Sequence, residues 1–257
     1  MNSRLVLTVD IGNTHTRMVF WNETGNVVAQ ETFLSAAIRD RHEDTRGAWW
    51  RFIDTLRPSI ASVSCVAPDV GEILDAWTSE TALSLKFVTY QDIPLTMGIP
   101  QPQFAGIDRL VNCTAAWKNF LDSCLVIDMG TAVTWDVVVS PGVFAGGVIA
   151  PGLEVLSEAL HRRTALPAVQ PWPCDDVLGR DTESCLRSGA WFGFLAQVEG
   201  IARRLLERFP QIQNVLLTGG TAPFIRHALP QSWLHVPLLT HEGLRHIALE
   251  KWQVNDR

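Results

Sequence analysis

Several things are scarce in this chain, and each scarcity removes a class of function. No run of Lys and Arg occurs, and the formal net charge is −6. Nucleic-acid binding is therefore not expected, because phosphate neutralisation by a basic stripe dominates that affinity. A small anionic ligand needs only one local site and stays open. Charged residues make up 19% of the chain against 47% hydrophobic, a balance that argues against disorder and for a sizeable core. The five cysteines are odd in number and show no C-x-x-C spacing, so buried, inert thiols are expected rather than a disulfide framework. His241 and His246 are five apart, where a zinc-protease helix needs four.

Long apolar runs are also missing. The longest uncharged stretch, 137–153, is broken by Ser140-Pro141-Gly142 and Gly146-Gly147, poor choices for a lipid-facing helix of ~20 residues. The start, Met1-Asn2-Ser3-Arg4, leads into only five apolar or neutral residues before Asp10, too few for a signal-peptide core. A soluble, cytoplasmic protein is expected, with no membrane partner.

At 257 residues, a two-lobed unit or two domains of roughly 110–140 residues each is the natural size. Residues 5–9 read as a buried strand, 10–14 as a tight turn, 17–21 as a second strand, and 27–32 as a third, entered by a hairpin turn. A helix at 45–56, a strand at 60–64, a helix at 70–80 and a strand at 85–88 complete this half. The second half repeats the opening, with a strand at 124–127, a turn at 128–131 and a strand at 134–139. A strand, an Asp-x-Gly turn and another strand thus occur twice, and internal repeats fix architecture. Residues 146–152 (GGVIAPG) are read as a side-chain-poor loop before a helix at 153–162, permitting close backbone approach to a ligand or merely turning the chain. A long helix at 182–209 precedes a strand at 214–217 that delivers Thr218-Gly219-Gly220. These elements predict an α/β fold with mixed sheets flanked by helices, divided 1–115 and 116–257.

An Asp at the end of a buried strand, followed by x-Gly and hydroxyl residues, suits phosphate handling. Glycine lets backbone amides approach an anion, and Asn13 and Thr14 add donors. Asp10 is suited to Mg²⁺, and Arg17 to adding positive charge. Asp128-x-Gly130-Thr131 offers a second such cradle for an NTP. Bare backbone at Gly219-Gly220 suits nucleoside packing. Gly106-Ile107-Asp108-Arg109 opens a helix, where the carboxylate could deprotonate a hydroxyl and the guanidinium bind an anionic group. Each motif has a plainer reading: a β-turn for the first two, an ion-paired helix-start acid for the last.

Taken in order, DIGNTHTR (10–17), GIDR (106–109), DMGTAVTWD (128–136), GGVIAPG (146–152), LSEALHRRTALP (156–167) and LGRDTESCLRSG (178–189) resemble the type III pantothenate kinases of the acetate/sugar kinase, heat-shock chaperone and actin superfamily. The first turn is shared across the superfamily; GIDR and the GGVIAPG-to-TALP run are more specific. The resemblance implies a duplicated ribonuclease-H-like (actin-like ATPase) fold and a homodimer. It implies ATP-dependent phosphorylation of pantothenate at the start of coenzyme A synthesis, with Mg²⁺-ATP and a monovalent cation, K⁺ or NH₄⁺.

Carried onto this chain, the resemblance makes Asp108 the catalytic base and places Gly106, Ile107, Asp108 and Arg109 around pantothenate. Thr182 reaches the same substrate, from the neighbouring subunit. Asp10, Ile11, Gly12, Asn13, Thr14, His15, Thr16, Arg17 and Thr131 hold ATP. Asp128 binds the monovalent cation, and Asp10 is a candidate for Mg²⁺. Two positions depart from the family pattern: Arg17 stands where Lys is usual, exchanging a point charge for a planar fork, and Ile99 stands near a common Tyr. Two other readings compete, a sugar or amino-sugar kinase of the superfamily and a non-catalytic accessory member. The sugar kinase usually needs a cluster of Asn, Asp, Glu and His, and repressor-related members often carry a Cys-rich zinc motif, neither of which is evident here. The intact Asp10, Asp108, Asp128 and Thr131 weigh against the accessory reading.

Overall fold

The computed structural model describes residues 5–252 except 59, 80, 82 and 172. Residues 1–4 and Glu80, the expected end of a helix, lie outside the described residues. The chain forms two compact units, one comprising residues up to 118 together with those from 238 onward, the other residues 119–237.

In the first unit, β1 (Val6–Ile11), β2 (His15–Trp21), β3 (Val27–Leu34), β4 (Ile60–Cys65) and β5 (Leu85–Phe87) form a sheet in the order β3-β2-β1-β4-β5. β1 runs antiparallel to β2 and parallel to β4. Helices α1 (Ser35–Arg39), α2 (Glu43–Leu56), α3 (Pro68–Thr78) and α4 (Ile107–Phe120), together with a two-residue strand β6 (Thr96–Met97), follow in chain order. Arg57 ends α2 in a left-handed conformation just before Pro58, and Pro68 opens α3 where its missing N–H costs nothing. Strand alternation sets the core. Leu7, Val9 and Ile11 of β1, with Met18 and Phe20 of β2, join Trp49, Ile53, Val70 and Leu74. Val6, Val19 and Trp21 line the opposite face and meet Ala248.

The second unit repeats this plan. Its strands β7 (Cys124–Met129), β8 (Ala132–Val139), β9 (Val143–Pro151), β10 (Asn214–Thr218) and β11 (Leu234–His235) run in the order β11-β10-β7-β8-β9. Pairing is antiparallel for β7–β8 and β8–β9 and parallel for β7–β10 and β10–β11, position for position as in the first unit. This is the duplicated ribonuclease-H-like fold, two mixed sheets flanked by helices. Its helices are α5 (Leu153–Arg163), α6 (Thr182–Arg208) and α7 (Ala222–Ile225). Asp181 caps α6 through the backbone N–H of Ser184 (2.8 Å) in a capping box. α6 stops where Phe209 meets Pro210, a residue unable to continue a helix. Trp191, Phe194 and Val198 of α6 pack on Leu125, Ile127 and Trp135 of the sheet.

Three sequence expectations change. Residues 146–152 are not a loop: 146–151 lie in β9, paired residue by residue with β8. Glycine weakens a strand only modestly, and a partner strand outweighs that loss. Gly146 takes φ +102° beside a register shift at Val137/Val138, so the glycine accommodates a bulge. Next, residues from 238 onward group with the first unit, because α8 (Leu239–Lys251) packs on β1 and β4. Finally, the thiols are not uniformly buried. Cys113 and Cys124 are, with burial pushing Cys124 up to about 12, whereas Cys65 and Cys174 are half-buried and Cys185 is exposed.

Candidate active site

The first candidate turn follows directly from the β1–β2 hairpin. β1 carries Asp10 at its carboxyl end, opposite Arg17 of β2. The Gly12 N–H donates to His15 O (2.9 Å), and a Cβ on Gly12 would sit 3.0 Å from that same oxygen, so a side chain there would crowd the turn. Asn13, Thr14 and His15 are exposed at its tip, while Ile11 and Thr16 point into the core. Ser35 locks the turn from outside. Its hydroxyl donates to Gly12 O (2.7 Å) and meets Thr16 Oγ1 (3.0 Å), and its N–H donates to Thr14 O (2.9 Å). Arg39 adds a bond to Asn13 O (3.2 Å). Arg17 Nη2 donates to Gln30 Oε1 (2.8 Å). Burial works against the Arg17 charge, opposed by Asp10 across the ladder. Beside Asp10 in β4 lies Ser64, whose fully buried hydroxyl has no partner among the described residues.

Asp108 and Arg109 occupy the first turn of α4. The Asp108 carboxylate accepts the Arg109 backbone N–H (2.9 Å). Burial raises the Asp108 pKa above the ordinary carboxylate value, against the opposing pull of that N–H and the Arg109 charge. A half-buried carboxylate shifted in this direction is a better proton acceptor than a free one. Gly106 leaves room for this placement of the carboxylate, since a Cβ there would lie 2.6 Å from Asp108 Oδ1 and push it aside.

In the second unit, Asp128 ends β7 and Gly130 N–H closes the turn on Ala132 O (2.9 Å). Thr131 is exposed at its tip. Two further glycines press against this turn. A Cβ on Gly152 would come 2.2 Å from Gly130 O and 2.6 Å from Thr131 O; a Cβ on Gly219 (φ +91°) would come 2.4 Å from Asp128 Oδ1. The close approach expected of GGVIAPG is thus to the chain's own turn at Gly152, whose N–H donates to Thr131 O (2.9 Å). Gly220, by contrast, faces open space. Thr182 is exposed at the first residue of α6.

These are hard oxygen donors. Among the described residues no group of three His, Cys, Asp or Glu side chains is placed to hold a metal. Asp10, a carboxylate at the end of β1, is a hard oxygen donor of the kind that can hold an ion arriving with phosphates. Asp128 Oδ1 and the Met129 backbone lie directly against Gly219, and Met129 O accepts the Thr221 N–H (2.9 Å).

A model of the type III pantothenate kinase family matches residues 6–204. The chain belongs to that family. It is 32% identical over 260 residues to a type III pantothenate kinase from Desulfatibacillum aliphaticivorans, covering 94% of this chain and 96% of the relative. It is 33% identical over 256 residues to one from Acidothermus cellulolyticus, at the same coverage. Among solved structures, a Campylobacter jejuni protein assigned to the Baf family of transcriptional activators aligns with a TM-score of 0.63 at 18% identity. That alignment covers 96% of this chain and 100% of the other, and it speaks to the fold alone.

Against the family pattern, Arg17 keeps a cation on the Asp10 side of the sheet, its fork spent partly on Gln30. Ile99 is half-buried. Sequence reading missed Ser35, whose short polar side chain gives no spacing signal, and the roles of Gly152 and Gly219 as supports of the second turn. No described helix is long and apolar enough to cross a membrane.

Proposed function

We propose that the protein transfers the γ-phosphoryl group of ATP to the primary hydroxyl of pantothenate, giving 4′-phosphopantothenate for coenzyme A synthesis. The observation that carries the chemistry is Asp108, a partly desolvated carboxylate at a helix start, next to a guanidinium and over a glycine. Asp108 takes the hydroxyl proton as the oxygen attacks phosphorus. A P–O bond forms to pantothenate while the bridging bond to ADP breaks. Gly106, Ile107 and Arg109 hold pantothenate, Arg109 pairing with its carboxylate. The amides and hydroxyls of the Asp10–Arg17 turn, with Thr131, present donors to the phosphates.

Asp10 would hold Mg²⁺ and Asp128 a K⁺ or NH₄⁺ ion, which supply charge neutralisation when bound. Thr182, exposed at the head of α6, contacts pantothenate bound by a second copy, which makes the working form a homodimer. The cytoplasm, with its ATP and K⁺, is the expected compartment.

Asp108→Ala tests this reading. Loss of a general base costs about 10²–10⁴-fold in turnover, with the KM for ATP little changed. Near-normal pantothenate-dependent turnover by Asp108→Ala would refute the base assignment.

A further inference from the structure

α8 lies beyond the residues matched by the family model, yet it touches both elements that carry the carboxylates of the first unit. Two consecutive residues in its first turn make the contacts. Thr240 Oγ1 donates to Asn112 Oδ1 (2.8 Å). Asn112 sits one turn after Asp108 on α4 and is 1% exposed. His241 Nδ1 shares a hydrogen bond with Thr8 Oγ1 (3.0 Å). Thr8 lies two residues before Asp10 on the same face of β1. Successive helical side chains diverge by about 100°, which is how neighbours reach different elements.

The surroundings make both contacts rigid. Trp21 Nε1 donates to Thr8 Oγ1 (2.9 Å), and Thr8 Oγ1 reaches Val19 O (3.2 Å). His241 is buried to 3% exposure. Two residues on, Gly243 brings α8 so close to α4 that a Cβ would lie 2.2 Å from Val111 O. A packing helix could have used apolar side chains at all these positions. Instead, one part-buried and one buried polar bond specify its register against α4 and β1 separately, and directional bonds specify geometry where apolar contact specifies only proximity.

We infer that Thr240 and His241 are positioning residues, which through Asn112 and Thr8 set the placement of Asp108 relative to Asp10. The inference rests on the proposed roles of those two carboxylates. Neither residue touches substrate; each acts through its partner.

The test compares wild type, Thr240→Val, Thr240→Ser, His241→Leu and His241→Asn as full-length proteins. It reads kcat and KM for ATP and for pantothenate, with melting temperature alongside. Thr240→Val keeps shape and removes the donor. It is expected to lower kcat about 10-fold, since small misplacements of reacting groups cost that much or more, and to leave both KM values within twofold. His241→Leu is expected to raise the KM for ATP about 5-fold, the scale of one hydrogen bond. Thr240→Ser and His241→Asn retain donor or acceptor and should restore wild-type kinetics.

Kinetics unchanged in Thr240→Val and His241→Leu, with only melting temperature lowered, would make these residues structural and overturn the inference. So would a Thr240→Ser variant as impaired as the valine form. Wild type without pantothenate-dependent turnover would instead bring down the proposed function, and this inference with it.

Discussion

Lowering the pH from 7.5 to 5 should destabilise the protein, chiefly through His241. Its imidazole is fully buried against Thr8, and burial first, then the charge of Arg17, push its pKa from 6.5 down to about 3. An unfolded His241 gains a proton below pH 6.5, whereas the folded one stays neutral until about pH 3. Because the unfolded state binds more protons in this window, stability falls as pH falls, and it reaches a plateau only below pH 3. The slope is about 1.4 kcal/mol per pH unit, so at pH 5 the loss is about 2 kcal/mol. His235 and His246 are also pushed down by burial and act in the same direction. The measurement is therefore a difference, with urea unfolding of wild type and His241→Asn at pH 7.5, 6 and 5. The variant keeps the other histidines and a polar partner for Thr8, and should lose about 2 kcal/mol less than wild type by pH 5. Parallel pH profiles for the two proteins would refute the buried-neutral account of His241.

Gly219→Ala forces a side chain into φ +91° and onto Asp128 Oδ1. It should cost about 1–3 kcal/mol by thermal melting and raise the K⁺ concentration needed for half-maximal activity. Gly152→Ala pushes a Cβ into Gly130 O and Thr131 O. A melting shift equivalent to about 1–3 kcal/mol, with a higher KM for ATP, is expected. Asp128→Ala should abolish activation by K⁺ while leaving residual Na⁺-supported turnover; an unchanged K⁺ response would move the cation site elsewhere. Gly106→Ala displaces the Asp108 carboxylate and should lower kcat with little change in melting temperature.

The doubled strand–turn–strand pattern was readable because Asp-x-Gly twice ends a buried apolar strand, and the matching strand orders of the two units follow from it. The site motifs were readable for the same reason: local turns need local residue types. What escaped reading depended on partners distant in the chain. Residues 146–151 look like a loop by composition and are a strand because β8 lies beside them. Gly152 and Gly219 look like ordinary turn glycines, and only tertiary structure brings them onto the second turn. α8 carries Leu244, Ile247 and Ala248 at helical spacing, a signal that was present, but its polar contacts pair His241 with Thr8 across 233 positions. No periodicity could suggest that pairing.

The central claim is best tested by ADP release from purified protein given ATP, Mg²⁺ and pantothenate, once in K⁺ and once in Na⁺. Pantothenate-dependent release in K⁺, much reduced in Na⁺, with 4′-phosphopantothenate as the product, is the predicted result. Release independent of pantothenate, or none in either salt, would contradict it.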